Sequence, residues 1–373
     1  MGSDKGRALV IGGAGLIGSH LVDLLIEKGY DVTLLDNLEE QTHRQGRPPW
    51  LNREARFIEG DVRNESHLSE ALEGARFVFH QAAFVGFTEN ISKYIDTNAI
   101  GTARIFELLE SGRFKVEKVV VASSQAVYGE GAYECADDGP QYPLERSFEQ
   151  MKKRRWESLC PRCGKDLLPA LTSEEKRRDG YTAYALSKEF EERIALSCGK
   201  KLGIPVVALR YAVTYGPRQS VFNPYTGVAS IFSTRLLNHL PPLIYEDGRQ
   251  TRDFIFVGDV ARANLFVMEN ELANHQVFNV STGKPTAVTE LARTLASIYG
   301  ESIEPEISAQ FRWGDVRHIL LDPGRLTRLG FTASTSVKDG LTRFAEWIKT
   351  QGKIEEYFTR AHDQLKRKRV VYG

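Results

Sequence analysis

Ala8-Leu9-Val10-Ile11-Gly12-Gly13-Ala14-Gly15-Leu16-Ile17-Gly18-Ser19-His20 decides how this chain folds. Ala8 to Ile11 is an apolar run with the length of a buried strand. Gly12, Gly15 and Gly18 follow at i, i+3 and i+6, and Leu21, Val22, Leu24 and Leu25 then recur with helical spacing up to Gly29. Strand, glycine turn and helix in that order form the context of a dinucleotide-phosphate site. The turn needs backbone angles that a Cβ disfavours. The backbone must approach a pyrophosphate, and the helix must lie close on the strand with its first N–H groups toward the phosphates. The second strand, Asp31 to Leu35, ends in Asp36, 18 residues after Gly18. A carboxylate near that spacing accepts from the adenosine ribose hydroxyls and repels a 2′-phosphate, which favours NAD over NADP.

Composition sets the outer bounds. A chain of 373 residues is long enough for a large core and two domains. Lys+Arg and Asp+Glu are both 49, so the formal net charge is zero, which argues against a general nucleic-acid or membrane-surface binder. No uninterrupted apolar run is long enough to span a bilayer. The first strand begins within ten residues of Met1, leaving no room for a signal peptide, and the expected location is cytoplasmic. Four cysteines do not make a disulfide scaffold. The basic tail Lys366-Arg367-Lys368-Arg369 reads as a solvated C-terminus.

Strands alternate with helices beyond Asp36. Arg56 to Glu59 reads as a third strand, followed by Gly60-Asp61-Val62; Asp61 reaches an adenine amino group or caps the next helix, Ser66 to Leu72. Phe77 to His80 is a fourth strand, leading into Gln81-Ala82-Ala83, where small side chains leave room for a ligand across the sheet edge. Tyr94 to Glu110 is a helix with Asn98 and Gly101 near its start. Val119 to Ala122 is a fifth strand and Pro205 to Arg210 a sixth, ending in Tyr211-Ala212-Val213. This alternation implies an α/β fold: a Rossmann-type, doubly wound parallel sheet with a smaller mixed α/β C-terminal domain for substrate. The expected division is 1–216 with 252–270 for the dinucleotide and 217–251 with 271–373 for substrate. Residues 131–180 interrupt the first part with many charges and little periodicity. A hairpin-like turn is expected at Glu246-Asp247-Gly248.

Tyr184-Ala185-Leu186-Ser187-Lys188 places Tyr and Lys at i and i+4, on one side of a helix running from Tyr181 to Lys201. A phenol with a pKa of about 10 is a poor base at neutral pH, and a neighbouring ammonium lowers that value. Such a tyrosine takes a proton from a sugar hydroxyl while hydride leaves for the cofactor. Ser124, at the end of the fifth strand, hydrogen-bonds the same oxygen.

With these motifs in this order, the chain resembles the extended short-chain dehydrogenase/reductase superfamily, and within it the NAD-dependent nucleotide-sugar epimerases and dehydratases. The resemblance runs from the glycine turn to about Asp322, and is nearest to enzymes like the dTDP-L-rhamnose and UDP-galactose 4-epimerases. It implies Ser124, Tyr184 and Lys188 as the catalytic trio. It implies Gly12, Gly15, Leu16, Ile17, Asp36, Asn37, Asp61, Val62, Gln81, Ala82, Ala83, Asn98, Tyr211 and Val213, with Tyr184 and Lys188, around NAD. Ser124, Gln125, Arg218, Gln219, Asn223, Arg252 and Arg312 would then meet a dTDP-, UDP- or GDP-linked sugar. The two last arginines suit bidentate contact with its diphosphate; the bland reading of Arg218, Gln219 and Asn223 is polar loop surface. A homodimer through the helices beginning near Tyr94 and Tyr181 is also implied. Val213 departs from the family, which commonly has Asn there.

The reaction narrows by elimination. By the same resemblance a dehydratase needs an acid pair after the catalytic hydroxyl residue, and a decarboxylase a glutamate two positions on. Gln125 and Ala126 stand there and neither transfers a proton, which leaves 4-epimerisation through a transient 4-keto sugar. A dehydratase, decarboxylase or oxidoreductase of the same fold, and a non-catalytic NAD-binding protein, stay open. The insertion adds one more feature. Cys160-Pro161-Arg162-Cys163-Gly164 resembles a zinc knuckle; Cys135 supplies a third ligand and Asp137 or Asp138 a weaker fourth, against the bland alternative of free surface thiols. The insertion carries ten basic and ten acidic residues, so it has no positive field to draw nucleic acid.

Overall fold

The computed structural model describes residues 5–86, 90–223 and 227–373. Seven parallel strands form the first sheet. In spatial order they are Val277–Val280, Val206–Tyr211, Lys118–Ser124, Ala75–His80, Arg7–Ile11, Asp31–Asp36 and Arg56–Glu59. The chain builds outward from Arg7–Ile11 in one direction, then crosses back to build in the other. The reversal leaves a crevice at the C-terminal strand ends, where ligands of open α/β sheets lie.

The apolar pattern of the first strand explains why both sheet faces are covered. Ala8 and Val10 point into one core with the helices Leu16–Glu27 and Val257–Glu269, while Leu9 and Ile11 point into another with Glu65–Leu72, Gly101–Glu110 and Ala183–Leu202. A strand buried on both faces reads as an unbroken apolar run, as this one does. Helix starts follow local capping. Asn64 Oδ1 accepts from the Ser66 and His67 N–H groups, and Thr182 Oγ1 accepts from Ala185 N–H, which fixes the start of the helix carrying Tyr184.

Three expectations need correction. The turn at Glu246-Asp247-Gly248 joins no hairpin: Leu243–Ile244 pairs in parallel with Glu306–Ile307, and Thr251–Phe256 pairs in parallel with Val213–Tyr215. The insertion has regular structure. Its strands Ala132–Cys135, Gly139–Gln141 and Leu168–Thr172 join the second sheet beside His318–Leu321 and Thr251–Phe256. They escape a reading by periodicity because they are short and half exposed. Thr251–Phe256 pairs within the second sheet, whereas Val277–Val280 is the edge strand of the first. The helix from Tyr94 opens instead as Ile91–Tyr94 followed by a π-helical turn, Ile95–Ile100.

One buried ion pair fastens the helix Ala183–Leu202 to the sheet. Glu192, fully buried, accepts from Arg210 Nε at 2.9 Å and Nη2 at 2.6 Å, from Ser123 Oγ at 2.8 Å and from Arg178 Nη1 at 3.0 Å. Ser123 and Arg210 lie on adjacent strands at paired positions. Removing one partner of a buried pair leaves the other charge uncompensated. Glu192→Ala is expected to lower unfolding free energy in urea by about 3–5 kcal/mol. A loss below about 1 kcal/mol, typical of an exposed pair, would contradict this role.

Candidate active site

An open cleft crosses the C-terminal ends of the first sheet. Gly12, Gly15, Asp36, Asn37, Val62, Gln81, Ala82 and Ala83 all line it, together with Leu35, His43 and Phe84. Gly12 has φ +82°, and a Cβ there would come within 2.5 Å of Ala82 N; a Cβ on Gly18 would come within 2.1 Å of Gly12 O. Those two glycines therefore let the turn, the fourth strand and the first helix close together. At Gly15 a Cβ would meet only Gly12 O, at 3.4 Å, so its open side is the cleft side. No side chain caps the helix that follows it. A helix start leaves N–H groups without intrahelical partners, and a phosphate supplies acceptors for them. These residues fit a dinucleotide.

Asp36 is buried at the cleft and already ordered. It accepts from Ala14 N–H and Leu38 N–H, both at 2.9 Å, which leaves lone pairs on each oxygen for ribose hydroxyls. Burial pushes its carboxyl pKa up, against the pull of those two N–H groups and of His43. Asp61 differs. Its carboxylate accepts from Arg63 N–H, Nε and Nη2 and from Asn37 Nδ2, at 2.7–2.9 Å, which occupies all four acceptor positions. Asn64, not Asp61, caps the helix that follows. Although burial opposes ionisation, these bonds hold the Asp61 carboxyl below the usual carboxylate range.

Several residues expected around the cofactor also carry structural contacts. Asn98 is fully buried and clamps Phe84, accepting from its N–H at 2.7 Å and donating to its carbonyl at 3.1 Å. It also donates to Ser187 Oγ at 2.9 Å, tying the fourth-strand loop to the catalytic helix. The Tyr211 hydroxyl is directed to Gln81 Oε1 and Asn264 Oδ1. Val213, Leu16 and Ile17 pack against the core of the second sheet. These contacts explain their residue types without a ligand.

Ser124 hydrogen-bonds the Tyr184 oxygen, and the Lys188 ammonium is near enough to act on it electrostatically. Ala126 N–H donates to Ser124 Oγ, leaving the Ser124 hydroxyl proton for the Tyr184 oxygen. Tyr184 packs edge-on against Tyr94, and Tyr94 against Phe84 of the cleft wall. The expected lowering of the phenol is absent in the chain itself. Burial pushes Tyr184 up, and the Lys188 ammonium and Ser124 only partly offset it. A residue not anticipated explains part of this. Glu191 is fully buried and accepts from Lys188 Nζ at 2.6 Å, so the ammonium is shared. Its other oxygen has no hydrogen-bond partner among the described residues. Burial raises its carboxyl to about 7, against Lys188. The available signal was an acid at i+3 from Lys188 on the buried helix face. His80, beside Glu191, is lowered to about 3 by burial and by Lys188, so it is a neutral imidazole bonded to Thr102 Oγ1.

The arginines divide. Arg252 donates to the carbonyls of Thr251, Val316 and Arg317. Arg312 pairs with Asp315 at 2.8 Å, and Asp315 also faces Arg252. Arg218 is drawn away to Asp23 of the first helix at 2.6 Å. Gln219 and Asn223 are buried, which removes the loop-surface reading; Pro224, Tyr225 and Thr226 lie outside the described residues. Behind Arg252 lies a cluster that sequence reasoning missed. Arg146 of the insertion forks onto Glu246 at 2.9 and 3.0 Å, and Arg317 joins Glu246, Asp247 and Glu157. Its members are far apart in sequence, and no spacing rule connects them. In the insertion, Cys135, Cys160, Cys163 and Asp138 converge, whereas Asp137 turns out to Lys165.

Fold and site together define a nucleotide-binding α/β enzyme with a Ser–Tyr–Lys arrangement. The chain belongs to the NAD dependent epimerase/dehydratase family, whose model matches residues 8–152 and 169–281. It is 31% identical over 352 residues to the dTDP-L-rhamnose 4-epimerase of Burkholderia thailandensis, covering 92% of this chain and 95% of that one. The solved UDP-glucose 4-epimerase of Thermotoga maritima with UDP-glucose superposes with a TM-score of 0.77 at 30% identity, over 93% of this chain and all of that one. The UDP-glucose 4-epimerase of Thermus thermophilus in complex with NAD gives 0.74 at 27% identity, over 92% and 99%. Among the described residues no helix is long and apolar enough to cross a membrane.

Glu191 gives a pH test. Its folded-state pKa, about 7, lies above its ordinary 4.5, so its contribution to stability is present below 4.5 and is lost as pH rises through 7. Glu191→Gln is expected to flatten the fall in thermal midpoint across that window. The variant should also lose an inflection near pH 7 in kcat/KM. Parallel pH profiles for both proteins would remove Glu191 from this role.

Proposed function

We propose that this protein interconverts nucleotide-diphosphate sugars at C4 with NAD as a resident cofactor. The observation that carries the reading is Tyr184 bonded to Ser124 at the end of the strand Lys118–Ser124 and under the field of Lys188, one aromatic layer from a cleft formed by Gly12, Asp36 and Gln81. Gly12, Gly15 and the N–H groups of Leu16 and Ile17 would hold the pyrophosphate, Asp36 and Asn37 the ribose, and Val62, Gln81, Ala82 and Ala83 the remaining wall. Bound there, NAD supplies hydride transfer and, when oxidised, a positive ring that favours the phenolate. Tyr184 takes the proton of the C4 hydroxyl and returns it once the 4-keto sugar has presented its other face. Ser124 hydrogen-bonds the same oxygen. Lys188 holds charge beside the phenol.

Two features favour epimerisation over the related reactions. Gln125 and Ala126 offer no acid or base for elimination or decarboxylation. The buried Gln125 amide oxygen, without a partner among the described residues, suits a sugar hydroxyl instead. Arg252 and Arg312 would take the diphosphate, with the sugar turning beyond it. The relatives named for 4-epimerisation support this reading, and their substrates bracket the class as dTDP- and UDP-linked sugars. Ile100, Leu186 and Phe190 are exposed on the helices expected at a dimer interface, and a homodimer is part of the proposal.

Purified protein incubated with a panel of nucleotide sugars, without added cofactor, should bring at least one to a mixture of C4 epimers. Stoichiometric NADH or a free keto product would instead establish an oxidoreductase or dehydratase. Tyr184→Phe should lower kcat by roughly 10²–10⁴-fold with little change in KM; unchanged turnover would overturn the assignment. Light scattering should give twice the chain mass, falling to one chain on Leu186→Glu with Phe190→Glu; a monomeric wild type would refute the dimer.

A further inference from the structure

The insertion contains a convergence that the dinucleotide and sugar sites leave unused. Cys135 ends the strand Ala132–Cys135, and Cys160 and Cys163 flank a tight turn closed by Gly164 N–H donating to Cys160 O at 2.9 Å and Cys160 N–H donating to Lys165 O at 2.8 Å. One ligand atom from each of Cys135, Asp138, Cys160 and Cys163 lies within 4.8 Å of the others. The Cys135–Cys163 sulfurs are 3.5 Å apart, and Asp138 Oδ2 is 3.2 Å from the Cys160 sulfur and 3.7 Å from the Cys135 sulfur. All four cysteines are free thiols. A tetrahedral zinc with Zn–S of about 2.3 Å and Zn–O of about 2.0 Å has S···S edges near 3.8 Å and S···O edges near 3.5 Å. The three separations therefore match the edges of one coordination tetrahedron and exceed a disulfide bond length of about 2.0 Å.

We propose that Cys135, Cys160, Cys163 and Asp138 bind one structural zinc ion that fastens the insertion. Four protein ligands close the coordination shell and leave no position for a substrate, as in structural rather than catalytic sites. Second-sphere groups suit thiolates. The N–H groups of Asp137 and Asp138 donate toward the Cys135 sulfur, and Lys165 N–H donates toward Cys163. Three thiolates and a carboxylate leave the zinc complex with net negative charge. Arg162 lies beside Asp138 to offset part of that charge. Binding releases the thiol protons to solvent.

The insertion has a reason to need such a clamp. Its own apolar cluster consists of Tyr133, Cys135, Cys160 and Leu167, and two of these are ligands. A core that small does not order a segment without a staple. The clamp also reaches the proposed sugar site by a short route. Tyr133, two residues before Cys135, donates to Glu130 at 2.8 Å, and Glu130 accepts from Arg317 N–H. The family match breaks between residues 152 and 169, so the Cys160–Cys163 half of the clamp lies outside the matched segments, while Cys135 and Asp138 lie inside them.

The test is the metal content of the full chain, independent of turnover. Elemental analysis of protein purified without chelator should give one zinc per chain. Cobalt(II) exchanged into the chelator-treated protein should show the intense thiolate-to-cobalt absorption of a tetrahedral site. Cys160→Ser and Asp138→Asn should each lower zinc affinity at least tenfold, the second keeping all thiols and hence the fold. Cys198→Ser, outside the cluster, should keep full metal content. Chelation should lower the thermal midpoint while NAD still binds. Zinc below a tenth of an equivalent after incubation with the ion, retention unaffected by Cys160→Ser, a different metal, or a Cys135–Cys163 disulfide in non-reducing peptide maps would each overturn the proposal. None of those results bears on the epimerase reading, whose own test is sugar turnover.

Discussion

The carboxylate of Glu192 is where the helix carrying Tyr184 and Lys188 is fixed to the sheet. It sits four residues after Lys188 and eight after Tyr184, so all three share one helix face. Its bidentate pair with Arg210 and its bond from Ser123 lock that face onto the ends of two neighbouring strands. Ser124 is the next residue on one of those strands. The distance between the serine hydroxyl and the phenol thus depends on an ion pair two turns away. Asn98 adds a second tether from the opposite side, holding Ser187 to the Phe84 loop. Both are polar groups in a dry interior, where an unmatched partner is costly and a matched one admits few alternative packings.

Adjacent glutamates on this helix have opposite fates. Arg210 outweighs burial at Glu192 and holds it ionised, while burial outweighs Lys188 at Glu191 and raises it toward neutrality. The difference follows from partners. Glu192 has the two-pronged guanidinium, a hydroxyl and a second arginine, whereas Glu191 has one ammonium and an unmatched oxygen. Glu191 and Tyr184 therefore face the same ammonium. Burial raises the Tyr184 phenol, and Lys188 and Ser124 offset it only in part.

The insertion is integrated rather than appended. Leu168–Thr172 pairs with His318–Leu321, and Arg146 reaches Glu246 together with the fully buried Arg317. Buried arginines and acids alternate in this cluster, and Arg252 lies at its edge with its guanidinium donating to three backbone carbonyls. A guanidinium held in place by carbonyls keeps its positive charge, which suits a diphosphate. The same cluster makes a hairpin at 246–248 unnecessary, because Glu246 and Asp247 turn inward to meet Arg317.

The linear order by itself determined the glycine turn, the parallel sheet and the Tyr184–Lys188 pair, because each depends on residues close in the chain and on periodicity. Gly12, Asp36 and Gln81 reached the cleft for that reason. Tertiary structure alone decided what long-range partners do to a residue. It turned Asp61 onto Asn37, Asn98 onto Phe84 and Ser187, and Arg218 onto Asp23. It chose Asp138 over Asp137 in the cysteine cluster. It also supplied Glu191 to Lys188, and Arg146 to Glu246 across 100 positions. A side chain's type fixes which bonds it can make, but only burial and the neighbours brought from distant segments fix which of them it makes.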